Sequence, residues 1–200
     1  DQVCSIFDFD YDKVGFIPDI VWCSPPCRTF SIASCSTHWS KDKSTISQFR
    51  PDDNHRDFIP QTNDAIWGLR MIRKMQSILS YYTDLNDDLY WIVENPRGLL
   101  RKMPEMKIYN NVRHTVWYCQ YHSESDEIKR AKPTDIWTNV YNWIPRQVCK
   151  NGNPKCHHER APRGAKTGTQ GLKGAYDRSI VPKELCTDIC NCILGNTKLT

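Results

Sequence analysis

Two short apolar runs along the chain stop abruptly at reactive side chains. The run Ile20 to Cys23 ends in Ser24-Pro-Pro-Cys27, and the run Leu89 to Val93 ends in Glu94-Asn-Pro96. Each run has the length and composition of a buried strand. Two adjacent prolines stiffen the backbone and disfavour a helix before them, so we expect Cys27 to be held at the exit of its strand.

A long amphipathic stretch separates the two runs and predicts a helix that begins at Thr62 or Asn63. Its apolar positions repeat at helical spacing: Ile66, Leu69, Ile72, Met75, Leu79 and Tyr82. A helix between two strands predicts a βαβ crossover, which pairs the strands in parallel. Ligands bind at the carboxyl ends of strands in such sheets, so we expect Cys27 and Glu94 to serve one site.

Other segments predict a further strand near the start of the chain, a hairpin and a final helix. The segments are Val3–Phe7 for the strand, Thr115–Tyr121 with Asp135–Val140 for the hairpin, and a helix from Pro182 that carries Leu185, Ile189 and Ile193 on one face. The polar stretch 31–60 predicts a long mobile loop over the site. The longest apolar runs fall short of the roughly 18 residues of a membrane helix, so no span is predicted.

Charge is distributed unevenly along the 200 residues. The net charge is +4, but residues 140–183 hold nine Lys or Arg against two acidic residues, which makes that segment +7 and the remainder −3. A hydrophobic content of 39% suits one globular domain with a small appended lobe. A basic lobe beside a nearly neutral body is typical of nucleic-acid binding.

Ten cysteines accompany an ordinary aliphatic composition and a loop that needs a free thiol. This combination predicts a reducing compartment, such as the cytoplasm. Cys149, Cys156, His157 and His158 lie in a Gly/Pro-rich stretch and resemble zinc ligands, but the six-residue gap between the cysteines is wide and no second close pair completes the set. The zinc question stays open, and the sequence assigns no metal ligand.

Ser24-Pro-Pro-Cys27 and Glu94-Asn-Pro96, in this order and at this distance, resemble the catalytic loop and Glu-Asn-Pro motif of the DNA (cytosine-5) methyltransferases. Further segments resemble short phage-type members, so the resemblance covers nearly the whole chain: Thr115–Tyr121, Lys132–Asn139, Gly164–Gly171 and Arg178–Leu185. The implied fold is α/β, a Rossmann-like S-adenosylmethionine-dependent methyltransferase sheet with helices on both faces and a small basic irregular lobe.

The resemblance implies that Cys27 and Glu94 are catalytic, that S-adenosylmethionine donates the methyl group and that double-stranded DNA is the partner. The implied substrate-binding residues are Ser24, Pro25, Pro26, Arg28, Asn95 and Pro96, with Arg130 and Lys132 near the place of a usual Arg-x-Arg pair that here reads Pro133-Thr-Asp135. Arg163, Lys166, Thr167, Thr169 and Gln170 are the implied DNA-binding residues. Asp8, Ser24 and Val181 are the implied cofactor-binding residues.

The same resemblance divides the chain into a partial catalytic core at 1–140, a basic target-recognition segment at 141–178 and a helix at 179–200 that returns to the core. The family's N-terminal strand and Gly-rich cofactor turn have no match, so we expect an N-terminal segment or a complementary chain to supply them. Three alternatives remain: a catalytically incomplete DNA-binding protein, one subunit of a split methyltransferase, and an enzyme that acts on free nucleotides.

Overall fold

The computed structural model describes residues 4–41, 57–122, 130–150, 153–158 and 175–197. The chain divides into two compact units, Asp1–Val112 with Trp137–Asn139 and Arg113–Ile136 with Val140–Thr200. The second unit therefore begins well before residue 141, and it includes the C-terminal helix. The predicted limits of the catalytic core and of the basic segment stay predictions.

The described part of the first unit contains four strands and two α-helices. In chain order they are β1 (Ile20–Cys23), α1 (Cys35–His38), β2 (Trp39–Ser40), β3 (Ile59–Pro60), α2 (Asn63–Leu85) and β4 (Tyr90–Pro96). β2 pairs antiparallel with β3. Short 3-10 helices lie at Tyr11–Lys13, Leu100–Lys102 and Pro104–Val112.

β1 and β4 pair in parallel, with Ile20 opposite Tyr90 and Cys23 opposite Val93. α2 lies between them in the sequence, so the predicted βαβ crossover is confirmed. Thr62 caps the N-terminus of the helix, as expected, because its hydroxyl oxygen accepts a hydrogen bond from the Ala65 amide at 3.2 Å. Such a cap satisfies one of the amides that the first turn of a helix leaves unpaired.

The apolar face of α2 forms the centre of the first unit's core. Its buried residues include Leu69, Ile72, Met75 and Leu79, which pack with Val93 of β4. Burying side chains of this size contributes roughly 1.5–3 kcal/mol each relative to leaving them in water. The helical spacing therefore identified the buried face, although Ile66, also expected on it, is only half-buried.

Two predictions for the first unit are wrong. Cys4–Phe7 forms no strand, because the Asp8 amide bonds the Ser5 carbonyl at 2.9 Å and closes a turn, while the Phe7 ring packs edge-on against Trp67 of α2. The stretch 31–60 is not simply a polar loop, since its described parts form α1, β2 and β3. Residues 42–56 lie outside the described part of the chain.

The described part of the second unit contains β5 (Arg113–Trp117), β6 (Pro133–Thr138), α3 (Ala175–Ser179) and α4 (Lys183–Thr197). β5 and β6 are neighbours, as the predicted hairpin requires, but β5 stops at Trp117 because the chain turns into a 3-10 helix at Tyr118–Gln120. β6 starts and ends two residues earlier than expected. α4 buries Leu185, Ile189 and Ile193, which confirms the predicted face.

The end of β6 returns to the first unit and lies beside β4. The Thr138 hydroxyl donates to the Trp91 carbonyl at 2.7 Å, and the Asn139 side chain bonds the Trp91 amide and the Leu89 carbonyl at 2.8 and 2.7 Å. The mixed α/β architecture is compatible with a methyltransferase fold. Across the described residues, no helix combines the length and apolarity that a bilayer span needs.

Candidate active site

The parallel ladder places the exits of β1 and β4 side by side. Cys23 and Val93 form the last registered pair, so Ser24 and Glu94 follow at neighbouring positions. The Ser24-Pro-Pro-Cys27 loop and the Glu94-Asn-Pro96 segment therefore share one edge of the sheet, which is the arrangement that the sequence predicted.

A side-chain hydrogen bond ties these two segments together directly. The Asn95 amide nitrogen donates to the Pro25 carbonyl at 2.7 Å, and Asn95 is almost fully buried. A carbonyl between two prolines has few backbone donors available nearby, so the Asn95 side chain supplies a partner that the loop lacks. The bond fixes the start of the Cys27 loop to the residue beside Glu94.

A second contact ties the far side of the loop to the same segment. The Leu99 amide donates to the Phe30 carbonyl at 2.7 Å. Gly98 makes this approach possible, because a β-carbon at that position would overlap the Phe30 carbonyl oxygen. The residues around Cys27 are thus held at Pro25 and at Phe30, in both cases by the chain that follows Glu94.

Cys27 itself begins a single helical turn. Its carbonyl accepts hydrogen bonds from the Phe30 amide at 3.0 Å and the Ser31 amide at 2.8 Å. The thiol is free and half-buried. A half-buried thiol in a constrained turn is accessible to a substrate yet limited in its positions, as a nucleophile requires.

Glu94 lies deeper, with 5% of its surface exposed, next to the fully buried Ile92 and Val93. The segments that carry the Cys27 thiol and the Glu94 carboxyl group thus share one strand edge, with the thiol half-buried and the carboxyl group buried.

A small pocket of about 200 Å³ adjoins the loop on the α2 side. It is lined by Pro26, Arg28, Thr29, Asp64, Trp67, Gly68 and Met71. The Arg28 guanidinium is 79% exposed and lies 3.2 Å from the Asp64 carboxylate. An exposed pair of this kind adds about 0–1 kcal/mol, so Arg28 remains free to exchange Asp64 for an anionic ligand.

One curated protein is similar to this chain over most of its length. It is a probable DNA (cytosine-5)-methyltransferase of Frog virus 3 (isolate Goorha), 27% identical over 189 residues, which span 89% of this chain and 77% of the viral protein. No protein-family model matches the chain, and no solved structure matches it. The similarity agrees with the family that the two motifs indicated.

Asp8, an expected cofactor residue, lines a pocket of about 330 Å³ in the first unit. Phe7, Phe9, Asp10, Tyr11, Asp12 and Lys74 line the same pocket. The Lys74 ammonium lies 4.5 Å from the centre of the Tyr11 ring, and Lys13 pairs with Asp10 at 2.7 Å, which lowers the Asp10 pKa. Ser24 accepts a hydrogen bond from the Trp22 indole at 3.0 Å. Val181 belongs to the second unit, just before α4.

Arg130 and Lys132, two expected substrate-binding residues, are buried in the second unit. Arg130 donates to the carbonyls of Asp177 and Ile180, and Lys132 holds its ammonium 4.8 Å from the Tyr118 ring centre. Both contacts are structural: Arg130 fixes the chain just before α4, and Lys132 packs on the 3-10 helix that follows β5. Their contact with substrate stays a prediction.

The five expected DNA-binding residues, Arg163, Lys166, Thr167, Thr169 and Gln170, lie outside the described residues. Sequence reasoning assigned Asn95 and Pro25 to substrate binding but missed their mutual hydrogen bond. It also missed Gly98, for which Pro96-Arg-Gly98 directly after a strand is a weak signal of close backbone approach.

Proposed function

We propose that the protein is a DNA (cytosine-5) methyltransferase that acts on a cytosine flipped out of double-stranded DNA. The observation that carries this proposal is the double attachment of the Cys27 loop, at Pro25 and at Phe30, to the chain that follows Glu94. The similarity to the Frog virus 3 protein supports the same reaction class. Flipping is needed because carbon 6 and nitrogen 3 of a stacked, paired cytosine cannot both be reached.

In this proposal the Cys27 thiolate adds to carbon 6 of the ring. Carbon 5 of cytosine is too weak a nucleophile by itself, and addition at carbon 6 raises its electron density. A thiolate suits the step because it is strongly nucleophilic and also leaves readily. Loss of the carbon 5 proton and departure of the Cys27 sulfur then restore the aromatic ring.

Glu94 donates a proton to ring nitrogen 3 as the sulfur adds, and its carboxylate takes that proton back as the sulfur leaves. The buried Glu94 side chain lies in the segment that the Asn95 hydrogen bond ties to the Cys27 loop, so both groups are placed to serve one base. Asn95 and Pro96 keep the carboxyl group and the Cys27 loop in register. The wall of the cytosine site on the loop side is completed by Ser24, Pro26 and Arg28. The Arg28 guanidinium suits a phosphate of the DNA backbone.

The residues around Asp8 fit the nucleoside part of S-adenosylmethionine. Aromatic side chains such as Phe7 and Phe9 suit an adenine ring, and the Asp8 carboxylate suits ribose hydroxyl groups. When bound, S-adenosylmethionine supplies an electrophilic methyl group to carbon 5. Ser24 and Val181 are the other residues that we assign to the cofactor.

The basic segment that contains Arg163, Lys166, Thr167, Thr169 and Gln170 contacts the duplex in this proposal. Lysine and arginine neutralise phosphates, while Thr and Gln side chains reach base edges. Affinity for duplex DNA should therefore fall steeply as salt is added. An affinity that barely changes with salt would instead favour an enzyme of free nucleotides.

The direct test is covalent trapping of the complete gene product on duplex DNA that contains 5-fluorocytosine, with S-adenosylmethionine present. Fluorine at carbon 5 cannot leave as a proton does, so the covalent adduct accumulates. The unmodified protein should form the adduct, and Cys27→Ala should form none while still binding the duplex. Cys35→Ala is the matched control, since Cys35 is also half-buried and lies in the same unit.

Trapping that persists in Cys27→Ala would contradict the assignment of the nucleophile. A complete lack of trapping and of S-adenosylmethionine binding by calorimetry, together with strong salt-dependent DNA binding, would favour a catalytically incomplete DNA-binding protein.

A further inference from the structure

Three cysteines and one histidine come together in the second unit, although one of the cysteines lies far from the other three residues in the sequence. They are Cys119, Cys149, Cys156 and His158, and their ligand atoms all lie within 4.8 Å of one another. The Cys149 sulfur lies 3.7 Å from the His158 Nδ1. Zinc–sulfur bonds of about 2.3 Å and zinc–nitrogen bonds of about 2.0–2.1 Å set adjacent ligands of a tetrahedron roughly 3.5–3.8 Å apart.

Local backbone structure places each of these cysteines. Cys119 lies in the 3-10 helix Tyr118–Gln120, directly after β5. Between Cys149 and Cys156 the Asn153 amide bonds the Lys150 carbonyl at 3.0 Å, and the Cys156 amide bonds the Asn153 carbonyl at 3.1 Å. These two hydrogen bonds draw Asn153 to Lys150 and Cys156 to Asn153, so the Cys149 and Cys156 sulfurs come within reach of one ion despite the wide spacing.

Side-chain amides surround the sulfurs as donors. The Gln120 Nε2 lies 3.7 Å from the Cys119 sulfur and 3.5 Å from the Cys156 sulfur, and the Asn153 Nδ2 lies 3.5 Å from the Cys149 sulfur. N–H groups directed at sulfur stabilise the thiolate form that binds metals, and such outer contacts accompany metal ligands. A purely apolar cluster of thiols has no need of these donors.

The burial of these residues also favours a metal site. Cys119, Cys149 and His158 are all buried, and the sulfurs pack with Ala131 and Trp117. All three cysteines are free thiols rather than a disulfide.

We propose that Cys119, Cys149, Cys156 and His158 bind one structural Zn²⁺ ion. Three thiolates and one imidazole fill a tetrahedral shell with protein atoms, and a closed shell of this kind is typical of structural rather than catalytic zinc. The ion joins the end of β5 to the segment Cys149–His158. This proposal is independent of the methyltransferase reaction, because its readouts are metal content and coordination.

The first test uses the complete chain, purified under reducing conditions and supplied with zinc alone. Elemental analysis should find about one zinc per chain after dialysis, and X-ray absorption at the zinc edge should show three sulfurs at about 2.3 Å and one nitrogen at about 2.0 Å. Zinc far below one per chain, or a shell of oxygen and nitrogen only, overturns the proposal. A metal-free chain whose unreduced mass shows a disulfide within the cluster overturns it as well.

Variants then identify the ligands. Cys149→Ser and Cys156→Ser should each weaken zinc binding at least about 100-fold in a competition assay with a chelating dye, and Gln120→Ala about tenfold. Cys190→Ser on α4 is the matched control, because that thiol is exposed and lies outside the cluster. His158→Cys should retain zinc as a four-cysteine site. Unchanged zinc affinity in both serine variants, or loss in the control alone, contradicts the assignment.

Discussion

The Asn95 side chain donates a hydrogen bond of 2.7 Å to the Pro25 carbonyl. Asn95→Ala should therefore free the start of the Cys27 loop and lower the rate of covalent trapping about 100-fold, because small displacements of a nucleophile are costly. Loss of one buried hydrogen bond should also lower the free energy of unfolding by about 1 kcal/mol. Single-turnover trapping and urea denaturation measure the two effects.

Asn86 provides a matched control in the same unit. Its amide nitrogen donates to the Pro18 carbonyl at 3.1 Å, at the opposite end of β1. Asn86→Ala should lose a similar amount of stability yet trap DNA at an unchanged rate. Equal slowing of trapping in both variants would mean that the Asn95 bond acts only through stability.

Glu94 supports a second prediction, about proton transfer. Glu94→Gln keeps the shape of the side chain but removes the acidic proton, so turnover should fall about 10²–10⁴-fold. Duplex affinity, measured by fluorescence anisotropy, should change little.

Glu105→Gln is the control for Glu94, since the Glu105 side chain is also buried and pairs with Arg73 at 3.2 Å. Its turnover should stay near that of the unmodified protein. A Glu94→Gln variant that turns over at the full rate would remove Glu94 from the mechanism.

The parts of the site that local sequence could predict are those set by strand breakers and helical spacing. β1, β4 and α2 follow from apolar runs that end at prolines and from a stripe capped by Thr62. The turn at Ser5–Asp8 was not predicted, because a short alternating segment has the pattern of a strand. The contact between Phe7 and Trp67 of α2 accompanies the turn instead. Local pattern does not encode that contact between distant residues.

Gly98 gives a third prediction, about close backbone approach. Gly98→Ala would force a methyl group against the Phe30 carbonyl and should lower the free energy of unfolding by about 1–3 kcal/mol. Gly195→Ala in α4 is the control, because nothing lies within 4 Å of its added carbon, and it should gain about 0.5–1 kcal/mol. Denaturant titration of both variants gives opposite shifts if this account is right.

Cys23 gives a prediction about alkaline pH. Burial raises the pKa of its thiol from an ordinary value near 9 to about 11. Between these values the unfolded chain loses the proton while the folded chain keeps it, so stability is full below pH 9 and falls as pH rises toward 11. The expected loss from this group is about 2–3 kcal/mol.

Cys23→Ala should have a lower free energy of unfolding than the unmodified protein at neutral pH. It should lose less of that free energy between pH 9 and pH 11, so the curves of stability against pH for the two proteins converge. Burial also raises the pKa of Tyr109, and the Cys23 charge adds a smaller upward shift, so the alanine variant loses that smaller part as well. Val21→Ala on the same strand changes no titrating group, so its curve of stability against pH should run parallel to that of the unmodified protein. Parallel curves for Cys23→Ala would contradict the assigned cause.

The zinc cluster shows why some site residues lie beyond sequence reasoning. Cys149 and Cys156 were visible as a pair, but the ligand that completes them, Cys119, lies 30 positions upstream of Cys149 at the end of a strand. Nothing in the spacing of cysteines joins those positions. Their meeting depends on how β5 and the segment 149–158 pack within the second unit.

The register of β1 on β4 places the Ser24–Cys27 loop beside the Glu94 segment, whatever the number of residues between the two strands. Insertions or deletions in that intervening stretch leave the chemistry untouched as long as the strand pairing survives. Distant relatives are therefore best sought in genomes with the two motifs as fixed anchors and the gap between them left unconstrained. A search profile that penalises gap length will overlook them.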